Sequence, residues 1–153
     1  MVAKGTGPMP SSVANTAVAR CRKPVIAAIS GWCVGGGVDL ITACDVRLAS
    51  ADAKFSVREV KLAMVADVGT LARLPAIVGQ GVARELAFTG DDIDATRALR
   101  IGLVNEVLPS KAELLTHGRA MAARMAKNSP LVLGGIKEVM NAQSESVARE
   151  SLA

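Results

Sequence analysis

Aromatic side chains are nearly missing from this sequence: 153 residues include Trp32, Phe55 and Phe88, and no tyrosine. Proteins that bind single-stranded nucleic acid stack bases on aromatic platforms, and this chain can barely build one. Its basic residues are dispersed rather than clustered, so it lacks the electrostatic footprint of a nucleic-acid binder; no nucleic-acid partner is expected. Histidine occurs once. His117 lies in the polar stretch Leu114-Leu115-Thr116-His117-Gly118-Arg119 and reads as a surface helix residue rather than a base. Three cysteines, Cys21, Cys33 and Cys44, are too few and too evenly spread for a disulfide framework or a zinc site. They read as reduced, mostly buried thiols in a cytosol-like compartment, and no metal-ligand cluster is expected. No apolar run approaches the roughly 18 residues a membrane span requires, so no membrane partner is expected. The opening MVAKGTGPMPSS lacks the charged region and apolar run of a secretory signal. The expected location is therefore cytoplasmic, of a bacterial-like protein.

What is present is apolar and small. Hydrophobic residues make up 50% and charged residues 21%, with a mean hydropathy of +0.34. That balance excludes an intrinsically disordered tail. The length suits one domain with a core that needs no staples. The formal net charge of +4 suits an anionic partner, and dispersed charge suits a phosphate-bearing small molecule better than DNA.

Strands alternate with helices along the chain, which predicts an α/β fold. A short helix is expected from Ser11 or Ser12 to Arg20. The run Val25-Ile26-Ala27-Ala28-Ile29 reads as a strand buried on both faces. A loop follows over 30–34, then a helix over 38–44, a strand over 45–49 and a short strand over 54–57. Residues 58–67 are irregular. Helices are expected over 69–78, perturbed at Pro75, over 81–88, ended by Thr89-Gly90, and from the cap Asp94 to Arg100. A strand over 103–108, a long helix over 111–127, a helix over 131–142 and the start of another at Val147 complete the reading.

The stretch from Pro24 to Asp67 carries the chemistry. Gly31-x-x-x-Gly35-Gly36-Gly37 lies between a strand and a helix and matches neither a dinucleotide-binding nor a Walker loop. Glycines there allow positive φ and close approach of a ligand. The free N–H groups of a helix start suit a developing oxyanion. A tight turn without a ligand is the plainer reading of the glycines alone. Asp39 follows within the first helical turn, and Glu59 and Asp67 lie downstream, Asp67 in Ala-Met-Val-Ala-Asp-Val-Gly. Each acid alone reads as a cap or a solvated side chain. Together, three acids beside an oxyanion donor supply the parts for moving a proton next to a carbonyl.

The run KPVIAAISGWCVGGGVDLITACDVRLASADAKFSVREVKLAMVADVGTLARLPAIVGQGVARELAFTG resembles the crotonase (enoyl-CoA hydratase/isomerase) superfamily, and within it the dienoyl-CoA isomerase subgroup. The resemblance covers roughly Lys23 to the C-terminus. It implies a crotonase-like ββα spiral, here the C-terminal half of the core, followed by a helical region. The implied organisation is a lead-in and short helix over 1–22 that is not family-like, a partial core over 23–109 and a helical region over 110–153. Gly36 matches one of two backbone donors of the oxyanion hole, and Gly35, Gly37 and Trp32 are implied in substrate binding. Asp39 and Glu59 occupy the positions that hydratases of the family fill with two glutamates. Aspartate at 39 together with Asp67 is what resembles the isomerase subgroup. The implied reaction turns a 3,5-dienoyl-CoA into a 2,4-dienoyl-CoA in fatty-acid β-oxidation, with Glu59 as base, Asp39 as acid and Asp67 tuning Glu59. An acyl-CoA thioester is the implied substrate, no cofactor is implied, and the intact subunit is expected to form a trimer or hexamer. The first half of a crotonase-type subunit, with the other oxyanion donor, is not recognisable here, which implies a truncated member. Enoyl-CoA hydratase, a simple Δ3,Δ2 isomerase and a non-catalytic subunit are the competing expectations.

Overall fold

The computed structural model describes residues 10–66 and 69–150, with side chains for 15–66 and 69–143. Helix α1 spans Pro10–Arg20. Strand β1, Ile26–Ile29, leads through a turn at Gly31 into β2, Trp32–Val34. Helix α2, Gly36–Thr42, then returns to β3, Val46–Ser50, and β4, Lys54–Ser56. A 3-10 helix covers Glu59–Leu62. Helices α3, Thr70–Val78, and α4, Gln80–Thr89, precede β5, Ile93–Asp94, and α5, Ala95–Arg100. Strand β6, Glu106–Leu108, and helices α6, Lys111–Ala126, and α7, Pro130–Glu150, end the described chain.

The strands form two small sheets. One has the order β1-β3-β6 and is parallel throughout. In the other, β4 pairs parallel with β2 and antiparallel with β5. The core between sheets and helices is built on Phe55, Leu48, Leu74, Leu103 and Leu114, each stabilising the fold by about 1.5–3 kcal/mol when fully buried.

Local signals set several boundaries. Asp94 caps α5 by accepting the Arg97 N–H at 2.7 Å. Ser110 caps α6 by accepting the Glu113 N–H at 3.3 Å, while its hydroxyl donates to the Glu113 carboxylate at 2.9 Å. Gly90, at φ +61°, ends α4 in the left-handed conformation that a side chain disfavours. Helix α7 is anchored by Lys137, only 7% exposed. Its ammonium donates to Asp45 Oδ2 at 2.7 Å and reaches the carbonyls of Val18 and Lys23.

Four expectations change. Strand β1 is not buried on both faces: Ala28 is exposed, and Ile26 and Ala27 are half-buried. Its position at a sheet edge explains this, as does a cavity of about 540 Å³ opening between it and α6, lined by Ile26, Ala28, Leu115, Ala122, Met125 and Leu133 among others. Residues 32–34 are a strand rather than loop, held by pairing to β4. The strand expected over 103–108 is confined to Glu106–Leu108, since the Leu103 and Val104 amides instead donate to Ala98 O and close the turn after α5. The two helices expected at the end are one: the polar run 143–146 contains neither glycine nor proline to break it. No helix among the described residues is long and apolar enough to cross a membrane.

Candidate active site

The glycine triplet joins β2 to the start of helix α2. Gly35 adopts φ +54° and ψ −116°, outside the range of residues with a Cβ. Its N–H is consumed, donating to Ser56 O at 3.0 Å, and so ties the turn to β4. Its carbonyl accepts the amides of Val38 and Asp39 at 2.7 and 3.2 Å. Gly36 is therefore the first helical residue, and its N–H belongs to the first-turn donors that a helix leaves unpaired. No partner for it exists among the described residues. Open space lies beside Gly36, where an added Cβ would meet nothing within 4 Å. Gly37 faces inward instead, its would-be Cβ 3.2 Å from Cys33 Sγ. Burial pushes the Cys33 thiol up to about 12, so it is inert as a nucleophile.

Glu59 comes to the triplet from the far side. It opens the 3-10 helix after β4, and its carboxylate lies against the Gly35 backbone: a Cβ on Gly35 would sit 3.1 Å from Glu59 Oε1. The other oxygen, Oε2, is buried without a hydrogen-bond partner among the described residues. Buried acceptors are nearly always paired in folded proteins, so such an oxygen, on a carboxylate against the residue before the open Gly36 amide, marks a place suited to a ligand.

Asp39 is held differently. One turn into α2, it is 2% exposed, and its Oδ1 accepts both the Thr70 N–H at 2.8 Å and the Thr70 hydroxyl at 2.5 Å. Thr70 is the first residue of α3 and is itself 1% exposed. A short buried helix and the start of the next are thus locked to each other through one carboxylate oxygen. Sequence reasoning missed Thr70; its one local signal is a hydroxyl residue following Gly69 at a helix start.

Of the other expected site residues, Asp67 lies outside the described residues. Trp32 stands on β2 with 62% of its surface exposed. Its ring is approached by Lys54 Nζ at 5.8 Å and the Arg58 guanidinium at 5.6 Å, within range for cation–π attraction. An indole beside two cations can receive an anionic, partly aromatic group. His117 contacts the Glu106 carboxylate at 2.9 Å, away from these groups in the chain's topology. Glu59 and Gly36 are thus brought together at Gly35, Asp39 joins the same carbonyl through its backbone, and Trp32 occupies the strand leading in.

Residues 10–153 match the enoyl-CoA hydratase/isomerase family. The chain is 55% identical over 133 residues to a Dictyostelium discoideum protein described as mitochondrial Delta(3,5)-Delta(2,4)-dienoyl-CoA isomerase, covering 87% of this chain and 45% of that protein. It is 47% identical to the Homo sapiens protein of the same description, covering 88% of this chain and 42% of the relative. It is 40% identical to a Clostridium acetobutylicum short-chain-enoyl-CoA hydratase, covering 78% and 45%. The crystal structure of enoyl-CoA hydratase from Bacillus anthracis superposes with a TM-score of 0.83 at 34% identity, over 92% of this chain and 58% of that one. The chain spans about half the length of the curated relatives it matches.

Proposed function

This chain belongs to the enoyl-CoA hydratase/isomerase family, and we propose that it serves acyl-CoA double-bond isomerisation, turning a 3,5-dienoyl-CoA into a 2,4-dienoyl-CoA. Glu59 takes a proton from the carbon between the thioester carbonyl and the diene. The electron pair moves into the conjugated system, and the charge that gathers on the thioester oxygen is met by the Gly36 N–H. Asp39 then delivers a proton to the far end of the diene. One proton leaves and one arrives, so the substrate's composition is unchanged; before the next turnover Glu59 gives up the proton it gained and Asp39 takes one up. Because both Thr70 donors occupy Oδ1, the proton Asp39 delivers is carried on Oδ2. The steps move protons only and call for no cofactor.

The observation that carries this reading is the Glu59 carboxylate packed against Gly35, the residue before the open Gly36 amide, with its buried Oε2 unpartnered among the described residues. Two further parts of the reading have their own support. Self-association is favoured by the exposed Leu131, Val132, Ile136 and Val139 on α7, and a reducing, cytoplasmic setting by the free thiols of Cys21, Cys33 and Cys44.

The test is turnover. The protein given a 3,5-dienoyl-CoA should develop the absorbance of the 2,4-dienoyl product, and Glu59→Gln should lower kcat by about 10²–10⁴-fold, the usual worth of a positioned acid or base. Hydration of crotonyl-CoA without that absorbance assigns the hydratase reaction instead. A folded protein that does neither is a non-catalytic subunit.

A further inference from the structure

The 3-10 helix that carries Glu59 buries none of its own residues. Four residues in this conformation do not persist by themselves, so something else must fix where the carboxylate stands. Val57, two residues before, is buried in the core, and four other described neighbours of Glu59 reach one place, the segment 90–92 between α4 and β5. Ser56, three residues before, donates its hydroxyl to Gly90 O at 2.9 Å. Arg58, immediately before, pairs with the Asp92 carboxylate. Lys61, two residues after, pairs with Asp91 at 3.2 Å. Val60, immediately after, packs so closely on Gly90 that a Cβ there would lie 2.8 Å from Val60 Cγ1. The Arg58 side chain also holds the Asp92 carboxyl below the usual carboxylate range, which keeps that pair charged through mildly acid conditions.

We infer that the turn Gly90-Asp91-Asp92 is a positioning device for Glu59: it grips the 3-10 helix on one side so that the carboxylate presses on Gly35 on the other. The inference rests on Glu59 acting as the base. None of the three residues touches the reacting atoms; they act through residues 56, 58, 60 and 61. Exposed ion pairs alone hold a side chain weakly, and the close contact at Gly90 therefore carries the larger share. A side chain at 90 would push Val60 away and swing Glu59 with it. Displacements of about 1 Å at a reacting group can cost roughly 10²-fold in rate.

The experiment compares the full chain with Gly90→Ala, with Val60→Ala and with both together. Two quantities are read: kcat and KM for the dienoyl-CoA, and the ¹³C chemical shift of the Glu59 carboxyl carbon, assigned by its loss in Glu59→Gln. Gly90→Ala should lower kcat by roughly 10- to 100-fold with KM little changed, and should move the Glu59 resonance. Adding Val60→Ala removes the closest atom that the new Cβ meets and leaves only the flexible Lys61 side chain at 3.2 Å, and should restore most of the rate and return the resonance. A double variant no better than Gly90→Ala overturns the inference, because the damage then comes from the left-handed backbone at 90 and not from contact with the 3-10 helix. A Glu59 resonance that stays in place in Gly90→Ala overturns it as well. Where Gly90→Ala does not fold, Asp91→Asn with Asp92→Asn replaces it; that surface change should shift the resonance in the same sense by a smaller amount, and no shift refutes the grip. If the unaltered chain turns over no dienoyl-CoA, the isomerase reading fails, while the resonance still decides what holds Glu59.

Discussion

Replacing Thr70 by valine changes one atom pair of consequence. Valine keeps the shape of threonine and the backbone N–H that bonds Asp39 at 2.8 Å, but removes the hydroxyl that bonds the same oxygen at 2.5 Å. Both side chains are essentially sealed from water, Thr70 at 1% and Asp39 at 2% exposure, so no solvent molecule takes the place of the lost donor. Removing one partner of a buried hydrogen bond costs about 1–3 kcal/mol. A loss of about 2 kcal/mol is expected, close to a 30-fold change in the folding equilibrium. For a chain of this length it lowers Tm by roughly 4–8 °C. Urea denaturation followed by circular dichroism measures it, with the midpoint moving and the slope unchanged. Thr70→Ser retains the donor and should lose only about 0.8 kcal/mol, the worth of one buried methyl. Asp39→Asn closes a double-mutant cycle, since it replaces the carboxyl group that the hydroxyl contacts. Additivity of Thr70→Val and Asp39→Asn to within about 0.5 kcal/mol would mean the two side chains do not interact, and would refute the locking of α2 to α3. So would a Thr70→Ser variant as unstable as Thr70→Val.

Three other outcomes follow from the same coordinates. With its thiol pushed up to about 12, Cys33 should resist a thiol reagent at neutral pH, and Cys44, likewise raised by burial, should do the same. The half-buried Cys21 reacts first, and the other two react at the rate of unfolding. Since these folded values lie above the unfolded 9.0, their contribution to stability is full below pH 9 and declines above it, which a series of melts from neutral to alkaline pH reads directly. Lys137→Met removes the cation that Asp45 accepts and should cost about 2 kcal/mol, below the 3–5 typical of fully buried pairs because 28% of the Asp45 side chain reaches solvent; a melting point unchanged from the parent contradicts the anchoring of α7. An acyl-CoA bound at the site should change the emission of Trp32, the sole tryptophan, and raise Tm by mass action, whereas a raised Tm with constant emission places the nucleotide away from the indole.

The larger elements were legible because their signals are long enough to have a period. The apolar run 25–29 announced a strand, and Asp94 and Gly90 announced where helices start and stop. Strands β2 and β5 were not legible, since two or three residues carry no alternation and both exist by pairing with β4. The 3-10 helix was missed for a related reason: with no buried residue it leaves no apolar pattern. At the site, Glu59 and Gly36 could be singled out from the glycine triplet and the family resemblance. Thr70 could not, because its bond to Asp39 joins positions 31 apart in sequence, and a threonine opening a helix looks the same whether its hydroxyl faces water or a carboxylate. The turn 90–92 read as a helix stop, which it is, while its grip on residues 56–61 depends on folding across 30 residues or more.

The Lys137 anchor also sets a timetable for a growing chain. Its ammonium reaches the Val18 carbonyl across 119 positions, and the Asn141 amide reaches Ala19 across 122. At translation rates of about 5–20 residues per second, roughly 6–24 s separate the emergence of the two ends of that contact. Asp45, 92 positions ahead of Lys137, is likewise made well before the partner it later acquires. Helix α1 gains this fastening only once α7 has been made, so a contact on the earlier helix waits for more than a hundred later residues.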